Sequence, residues 1–228
     1  MKIISDQKIG IKLLFGFSVM IVFMAFIGYM GYLSINKINN YLDDIISVRM
    51  PSIDSLIEAD RDLQQLLVAE RSMIFANSSS DLFKELVASY EGSLKQSDQR
   101  WEKFKALSST EEEKAIIPKY EQAREEWKAI SRRIVEGRVA DTREGRREAL
   151  DLTLGDARIK FEEMRSYLDQ LTKANLGMAE KANKDAAKTY KNTMITLLSI
   201  IGLGLVVAIV LALGIGPRPH PDTGRASM

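Results

Sequence analysis

Cysteine is absent from the 228 residues, and the single histidine, His220, lies in the C-terminal tail. Those two gaps remove disulfides, thiolate nucleophiles, zinc–thiolate sites and iron–sulfur clusters. They also leave everything ahead of the tail without an imidazole base or metal ligand. No stretch reads as a P-loop, a dinucleotide-binding glycine fingerprint or a nucleophile elbow. The chain is therefore expected to be no enzyme and to carry no cofactor and no metal. A charge excess is missing too: 32 Lys+Arg against 31 Asp+Glu give +1, which leaves no footprint for nucleic acid. Strand signals are lacking, with no alternating apolar–polar run, and only Pro51 and Pro118 of the five prolines fall in the long middle of the chain.

What the sequence does contain is sharply segregated. A mean hydropathy of −0.11 averages two extremes. Leu13–Ile35, 23 positions, and Asn192–Pro217, 26 positions, hold no charged residue. Either run can cross a hydrocarbon core, which takes roughly 20 apolar residues. A secretory signal would have an apolar stretch of roughly 7–15 residues closed by a small-residue cleavage site. The first run is longer and passes through Gly28, Tyr29, Gly31 and Tyr32 without such a break, so a retained helix is expected. Lys2, Lys8 and Lys12 against Asp6 place the N-terminus in the cytoplasm by the positive-inside rule. A second crossing returns the C-terminus to the same side and leaves the middle outside. In the second run Gly204, Ala208 and Ala212 recur every four residues, the spacing of small residues that lets membrane helices approach closely, although such residues are common there in any case. The expected division is a cytoplasmic segment 1–12, a membrane helix 13–35, an extracytoplasmic domain 36–191, a second membrane helix 192–216 and a Pro-rich tail 217–228.

The middle is polar, with 27 of the 32 basic and 29 of the 31 acidic residues, and helical periodicity fills it. A first helix to about Asn77 carries Ile35, Ile38, Leu42, Ile45, Ile46, Ile53, Leu56, Ile57, Leu63, Leu67 and Ile74. The Ser78-Ser79-Ser80-Asp81 cluster supplies a turn and an N-cap. A second helix over 82–107 carries Leu82, Phe83, Leu86, Tyr90, Leu94, Trp101 and Phe104. A capping box, Thr110 with Glu113, opens a third over 111–137, with a kink or restart expected at Pro118. Asp141 with Glu144 offers another cap, and a fourth helix over 152–191 runs into the second apolar stretch. The fold expected is all-α, an antiparallel up-down four-helix bundle whose long first and fourth helices continue into the membrane. At about 1.5 Å per residue these two reach roughly 60 Å, and the second and third only about 40 Å. Ile38, Leu42 and Ile45 would then be poorly covered within one chain, so a parallel homodimer is expected.

This layout resembles the sensor region of bacterial methyl-accepting chemotaxis receptors, over about residues 8–215. The likeness lies in the lead-in Lys8-Ile9-Gly10-Ile11-Lys12-Leu13-Leu14-Phe15-Gly16-Phe17, and in Gly28-Tyr29-Met30-Gly31-Tyr32 with Leu33, Ile35 and Ile38. It extends to the Arg49-Met50-Pro51 step and to Ala69-Glu70-Arg71 before the first turn. The resemblance implies a two-pass sensor in the bacterial inner membrane that takes a small ligand or a binding protein outside and signals by helix displacement. Similar sensor domains serve histidine kinases and cyclases. Pro217, Pro219 and Pro221 cannot carry a helix onward, so no cytoplasmic signalling part is expected after the second span. A membrane-tethered adaptor without a small-molecule ligand is the alternative.

Sensors of this family take small carboxylates or amino acids on arginines, because a guanidinium pairs a carboxylate bidentately. Helical rise puts Arg71 and Arg158 at one height and Arg61 and Arg165 at another. Arg61, Arg71, Arg158 and Arg165 are thus the candidate ligand-binding residues, for a small anionic ligand between the first and fourth helices. Glu70, Glu162, Glu163 and Asp169 sit beside them, and ion pairing on a charged surface is the competing account. Arg49, Asp60 and Glu70 fall on the apolar stripe and need partners there, and Trp101 and Trp127 read as core anchors.

Overall fold

A computed structural model describes residues 9–215. The basic N-terminal residues Lys2 and Lys8, the Pro-rich tail and His220 lie outside the described residues. Six α-helices follow one another: α1 Ile9–Asp43, α2 Met50–Phe75, α3 Asp81–Leu107, α4 Glu111–Ala140, α5 Arg143–Leu154 and α6 Asp156–Ile215, with a π-helical stretch Asp44–Arg49 between α1 and α2. The described residues contain no strand. They form two compact units, residues 42–184 on the one hand and residues 9–41 with 185–215 on the other.

The first unit is an antiparallel four-helix bundle, with α5 and the start of α6 together filling the fourth position. Its core stacks Leu56, Leu63, Leu66 and Met73 of α2 against Phe83, Tyr90, Leu94, Trp101 and Phe104 of α3. Tyr120 and Trp127 of α4 and Phe161, Met164, Leu168 and Leu171 of α6 complete it. Both tryptophans are buried anchors, Trp101 against Tyr120 at 4.1 Å between ring centroids and Trp127 against Phe161 at 5.4 Å. The turns hold as their sequences suggest. Ser80 caps α3 by accepting from the Phe83 N–H, and Thr110 and Glu113 form the full capping box of α4.

Several local expectations are corrected. The first helix is not uniformly α-helical. Pro51 brings no N–H, and its ring crowds the carbonyl four residues back. The turns just ahead of it widen to a π-helix, and the Met50 N–H reaches Ile45. Pro118 does not restart α4, which runs unbroken from Glu111 to Ala140. It sits on the exposed face of α4, while Tyr120 and Ala123 turn into the core. Thr142, not Asp141, caps the next helix, accepting from the Gly145 N–H. Asp141 instead takes a left-handed conformation at φ 49° and ends α4. The fourth bundle position is likewise two helices, parted at Gly155. Ile46, Ile57 and Leu82, expected in the core, are 62%, 57% and 59% exposed.

The second unit pairs the apolar parts of α1 and α6 antiparallel. A Cβ at Gly16 would meet Leu211 at 3.9 Å, and one at Gly204 would meet Phe23 at 3.9 Å. Along this seam Phe23, Ile27, Met30 and Ser34 face Thr193, Leu197, Ile200 and Gly204, all half-buried or buried, while Ala212 is exposed. Phe17, Val22, Phe26, Leu198, Leu205 and Ile209 point outward, an apolar surface all round. Both helices are long and apolar enough to cross a membrane, with mean hydropathies of 2.0 and 2.8 in their most apolar windows.

The tightest backbone approach lies where α4 turns into α5. A Cβ at Gly145 would stand 2.7 Å from the Gly137 carbonyl oxygen, and one at Gly137 would stand 2.8 Å from that of Gly145. Neither backbone can give way locally. Gly145→Ala is expected to cost about 1–3 kcal/mol, the usual range for overpacking, read as a lowered Tm of the full chain in detergent. An unchanged Tm would show that the two helices are free to part here.

Candidate functional site

Polar side chains are buried in this bundle at distinct levels. At the end from which the chain continues into its apolar segments, the π-helical turns rotate Arg49 inward, leaving it 5% exposed. Its guanidinium donates to Asp44 from Nε at 3.3 Å and from Nη2 at 3.2 Å, and Nη2 also reaches the Ser109 hydroxyl at 3.0 Å. Nη1 donates to Asn175 Oδ1 at 3.3 Å and faces Glu113 Oε1 at 3.5 Å. Burial opposes the charge of Glu113, but the N–H groups of Thr110 and Ser109 and the Thr110 hydroxyl hold its carboxyl below the usual range. One cation thus ties the first helix, the α3–α4 turn, the start of α4 and the middle of α6.

A second polar level lies toward the other end. Glu70 is fully buried, and each of its oxygens accepts one hydroxyl, from Ser131 of α4 and from Thr153 of α5 at 3.0 Å. With the Ser131 proton committed to Glu70, the Tyr90 hydroxyl of α3 donates to Ser131 Oγ at 2.9 Å. Burial raises the Glu70 carboxyl above its ordinary value, and the two hydroxyls and Arg71 only partly offset it. Burial likewise pushes Tyr90 up to about 12. Beyond this level Arg138 donates to the Met73 carbonyl at 2.9 Å and the Ala76 carbonyl at 2.8 Å, neutralising the partial negative charge at the end of α2. It also pairs with Asp141 at 3.3 Å, and Asp141 accepts the Ser78 hydroxyl at 2.6 Å. Asp141 therefore joins the two turns at that end besides ending α4.

The four candidate arginines occupy different settings. Arg165 of α6 grips Asp60 of α2 with two bonds, 2.6 and 3.0 Å. Arg61 is half exposed and pairs with Asp62 at 3.1 Å and Glu58 at 3.7 Å. It lines a surface groove with Gln64, Gln65 and Val68 of α2 and Leu86 and Ser89 of α3. Arg71 and Arg158 are exposed. The register that pairs Asp60 with Arg165 sets Arg158 near Leu67, about one turn from Arg71. In the bundle's middle, Asp62 Oδ2, Tyr120 Oη, Arg124 Nε and Trp127 Nε1 are buried without a hydrogen-bond partner among the described residues. Arg124 still donates to Asp98 and to the Ser97 hydroxyl, and Ser52 Oγ, one turn from Arg49, is likewise buried without a partner among the described residues. The described residues include no group of acidic residues or histidine arranged to hold a metal ion.

Residues 6–190 match the family described as a four helix bundle sensory module for signal transduction. The chain belongs to that family. No curated protein and no solved structure matches it. A sensory module of this kind is a signal-transduction domain rather than a catalytic one, and its two apolar helices suit a membrane sensor.

Within the sensory module, Arg49 and Glu70 find the partners their buried stripe positions demand, and the part-exposed Asp60 pairs with the part-exposed Arg165. The sequence reading missed Asn175, Arg124, Arg138 and Tyr90 as polar members of the core. Arg124 and Arg138 lie at spacings from Tyr120, Trp127 and Ile134 that put them on the apolar face of α4, a signal that was legible. Asn175, four residues after Leu171, is another such break in a stripe.

Glu70 gives the sensory module a testable pH signature. With its carboxyl raised by folding, the folded chain keeps the proton where the unfolded chain has released it. Its contribution to stability is therefore greatest in acid and is lost as pH rises through the folded value. Glu70→Gln removes this titration. The Tm of the variant minus that of the wild type should climb as pH rises above the ordinary carboxylate range; a difference independent of pH contradicts the raised carboxyl.

Proposed function

We propose that the protein is a two-pass membrane sensor of the chemoreceptor type, its bundle outside the cytoplasmic membrane of a bacterium and both termini in the cytoplasm. The observation that carries this reading is the continuity of α6, one helix of 60 residues that holds Phe161, Met164, Leu168 and Leu171 in the bundle core and ends in an apolar run. In this reading a displacement of its bundle portion passes along the same helix to that run. Lys8 and Lys12 ahead of the first apolar run support the orientation.

The working form in this reading is a homodimer joined along α2. Met50, Ile57, Val68 and Phe75 are 58%, 57%, 64% and 87% exposed. Positions 50, 57, 64 and 71, and positions 61, 68 and 75, advance by sevens, the repeat of a coiled-coil seam. Arg61 and Arg71 belong to these same rows. Paired across two chains they would offer guanidinium groups to a small dicarboxylate or other anionic ligand, with Arg158 and the Asp60-bound Arg165 on the α6 side. A ligand shifts the α6 equilibrium only through a difference in affinity between its two positions. The chain's lack of cysteine makes the interface directly testable. Val68→Cys should form a disulfide-linked dimer on mild oxidation in membranes, and Glu125→Cys, on the exposed side of α4, should not. Equal cross-linking at both would sink the α2 seam. A small anion present at 100 times its dissociation constant should add about 2.7 kcal/mol of stability. That thermal shift should vanish in Arg71→Ala or Arg61→Ala. A flat response from a cross-linkable dimer to small carboxylates would point to a docked binding protein or to an adaptor role.

A further inference from the structure

The two stretches that lead from the bundle to the apolar runs are chemically one-sided. Residues 30–41 and 186–200 contain Lys37, Lys188 and Lys191, four asparagines and no carboxylate. The rest of the chain balances its charges almost evenly, so this band of positive charge stands apart. The register of the α1–α6 pair, fixed by Gly16 against Leu211 and Phe23 against Gly204, brings Ser34 opposite Thr193 and Lys37 beside Thr189. Between them lies a cleft of about 270 Å³, floored by Met30 and Leu197 and rimmed by Lys37, Ser34, Asn192 and Thr196. The Thr193 hydroxyl is spent on the Thr189 carbonyl at 2.7 Å. Ser34, Asn192 and Thr196 have no hydrogen-bond partner among the described residues, although they border apolar runs where an unmatched polar group is costly.

We propose that this cleft binds the phosphate of an anionic phospholipid headgroup. The Lys37 ammonium supplies the charge, the Asn192 amide and the Ser34 and Thr196 hydroxyls donate to phosphate oxygens, and Met30 and Leu197 receive the first part of an acyl chain. Lys188 and Lys191 add to the local positive potential. An anionic headgroup fits better than a zwitterionic one because the band holds no carboxylate to receive an ammonium or choline. The site straddles the boundary between polar and apolar chain, the depth at which a bilayer carries its phosphates. The proposal rests on the membrane-spanning reading above. Its consequence is that lipid composition bears on the two helices that would carry the signal.

The test uses the full chain. Flotation with liposomes of phosphatidylcholine alone, or mixed with phosphatidylglycerol, first asks whether the protein inserts; failure in both sinks the membrane reading and this proposal with it. For inserted protein, native mass spectrometry counts retained lipids. Phosphatidylglycerol should be retained in preference to phosphatidylcholine, and Lys37→Gln should cut that retention about fivefold, the weight of one lysine at an anionic surface. Asn192→Ala should lower it as well, and Lys95→Gln, on the exposed side of α3, should leave it unchanged. Equal retention of the two lipids, or retention that survives Lys37→Gln combined with Asn192→Ala, overturns the proposal. An arm with inorganic phosphate separates the sources. Retained phosphatidylglycerol that millimolar phosphate does not displace supports a lipid site; phosphate binding without lipid preference overturns it in favour of a soluble anion.

Discussion

A buried guanidinium sets the geometry of the bundle's exit. Arg49 cannot be left alone in an apolar interior, since an unpaired buried charge costs several kcal/mol. It therefore draws Asp44, Ser109, Glu113 and Asn175 around itself. That requirement decides how the first helix, the α3–α4 turn and α6 meet just where the chain leaves for its apolar segments. The π-helical stretch is what turns Arg49 inward, and Pro51 is what makes the stretch favourable. A local backbone feature thereby fixes a four-way tertiary contact.

Glu70 plays the matching part toward the other end, with Tyr90, Ser131 and Thr153, and Arg138 closes the α2 terminus beyond it. Between these levels α6 is held to α2 by the Arg165–Asp60 pair, and several buried polar atoms there lack partners. Fully satisfied buried networks rigidify a core. In the proposed sensor, a ligand acting near Arg61 and Arg71 would press on this middle level. The Arg49 cluster would then resist or transmit the resulting shift of α6.

The fold was legible in the sequence because its main determinants are local. Two charge-free runs, the Ser80 and Thr110 caps and the 3.6-residue stripes of α2 to α4 are each encoded within a few residues. The errors fall where tertiary context decides. Nothing adjacent to Asp141 reveals that Ser78, across a turn, will claim its carboxylate, so its part in the turn was read as capping. Ile57 and Leu82 look like core residues because exposure on an outer face has no signature in a single chain. Asp44 apart, the partners of Arg49 and Glu70 lie 60 and more residues away, beyond any periodicity argument, although the need for partners was plain. The candidate ligand arginines were less legible. Ion pairing on a charged helix and anion recognition use the same residues, and Arg165 on Asp60 shows how readily the first occurs.

The most direct measurement of this account is hydrogen–deuterium exchange on the full chain in nanodiscs, comparing wild type with Asn175→Ala. If the Arg49 cluster governs the bundle's exit as a unit, exchange should rise together in residues 44–50, 108–114 and 171–179. The level around Glu70 should keep its protection. Faster exchange spread evenly over the bundle, or none at the α3–α4 turn, would contradict the view that one buried cation couples α6 to the rest.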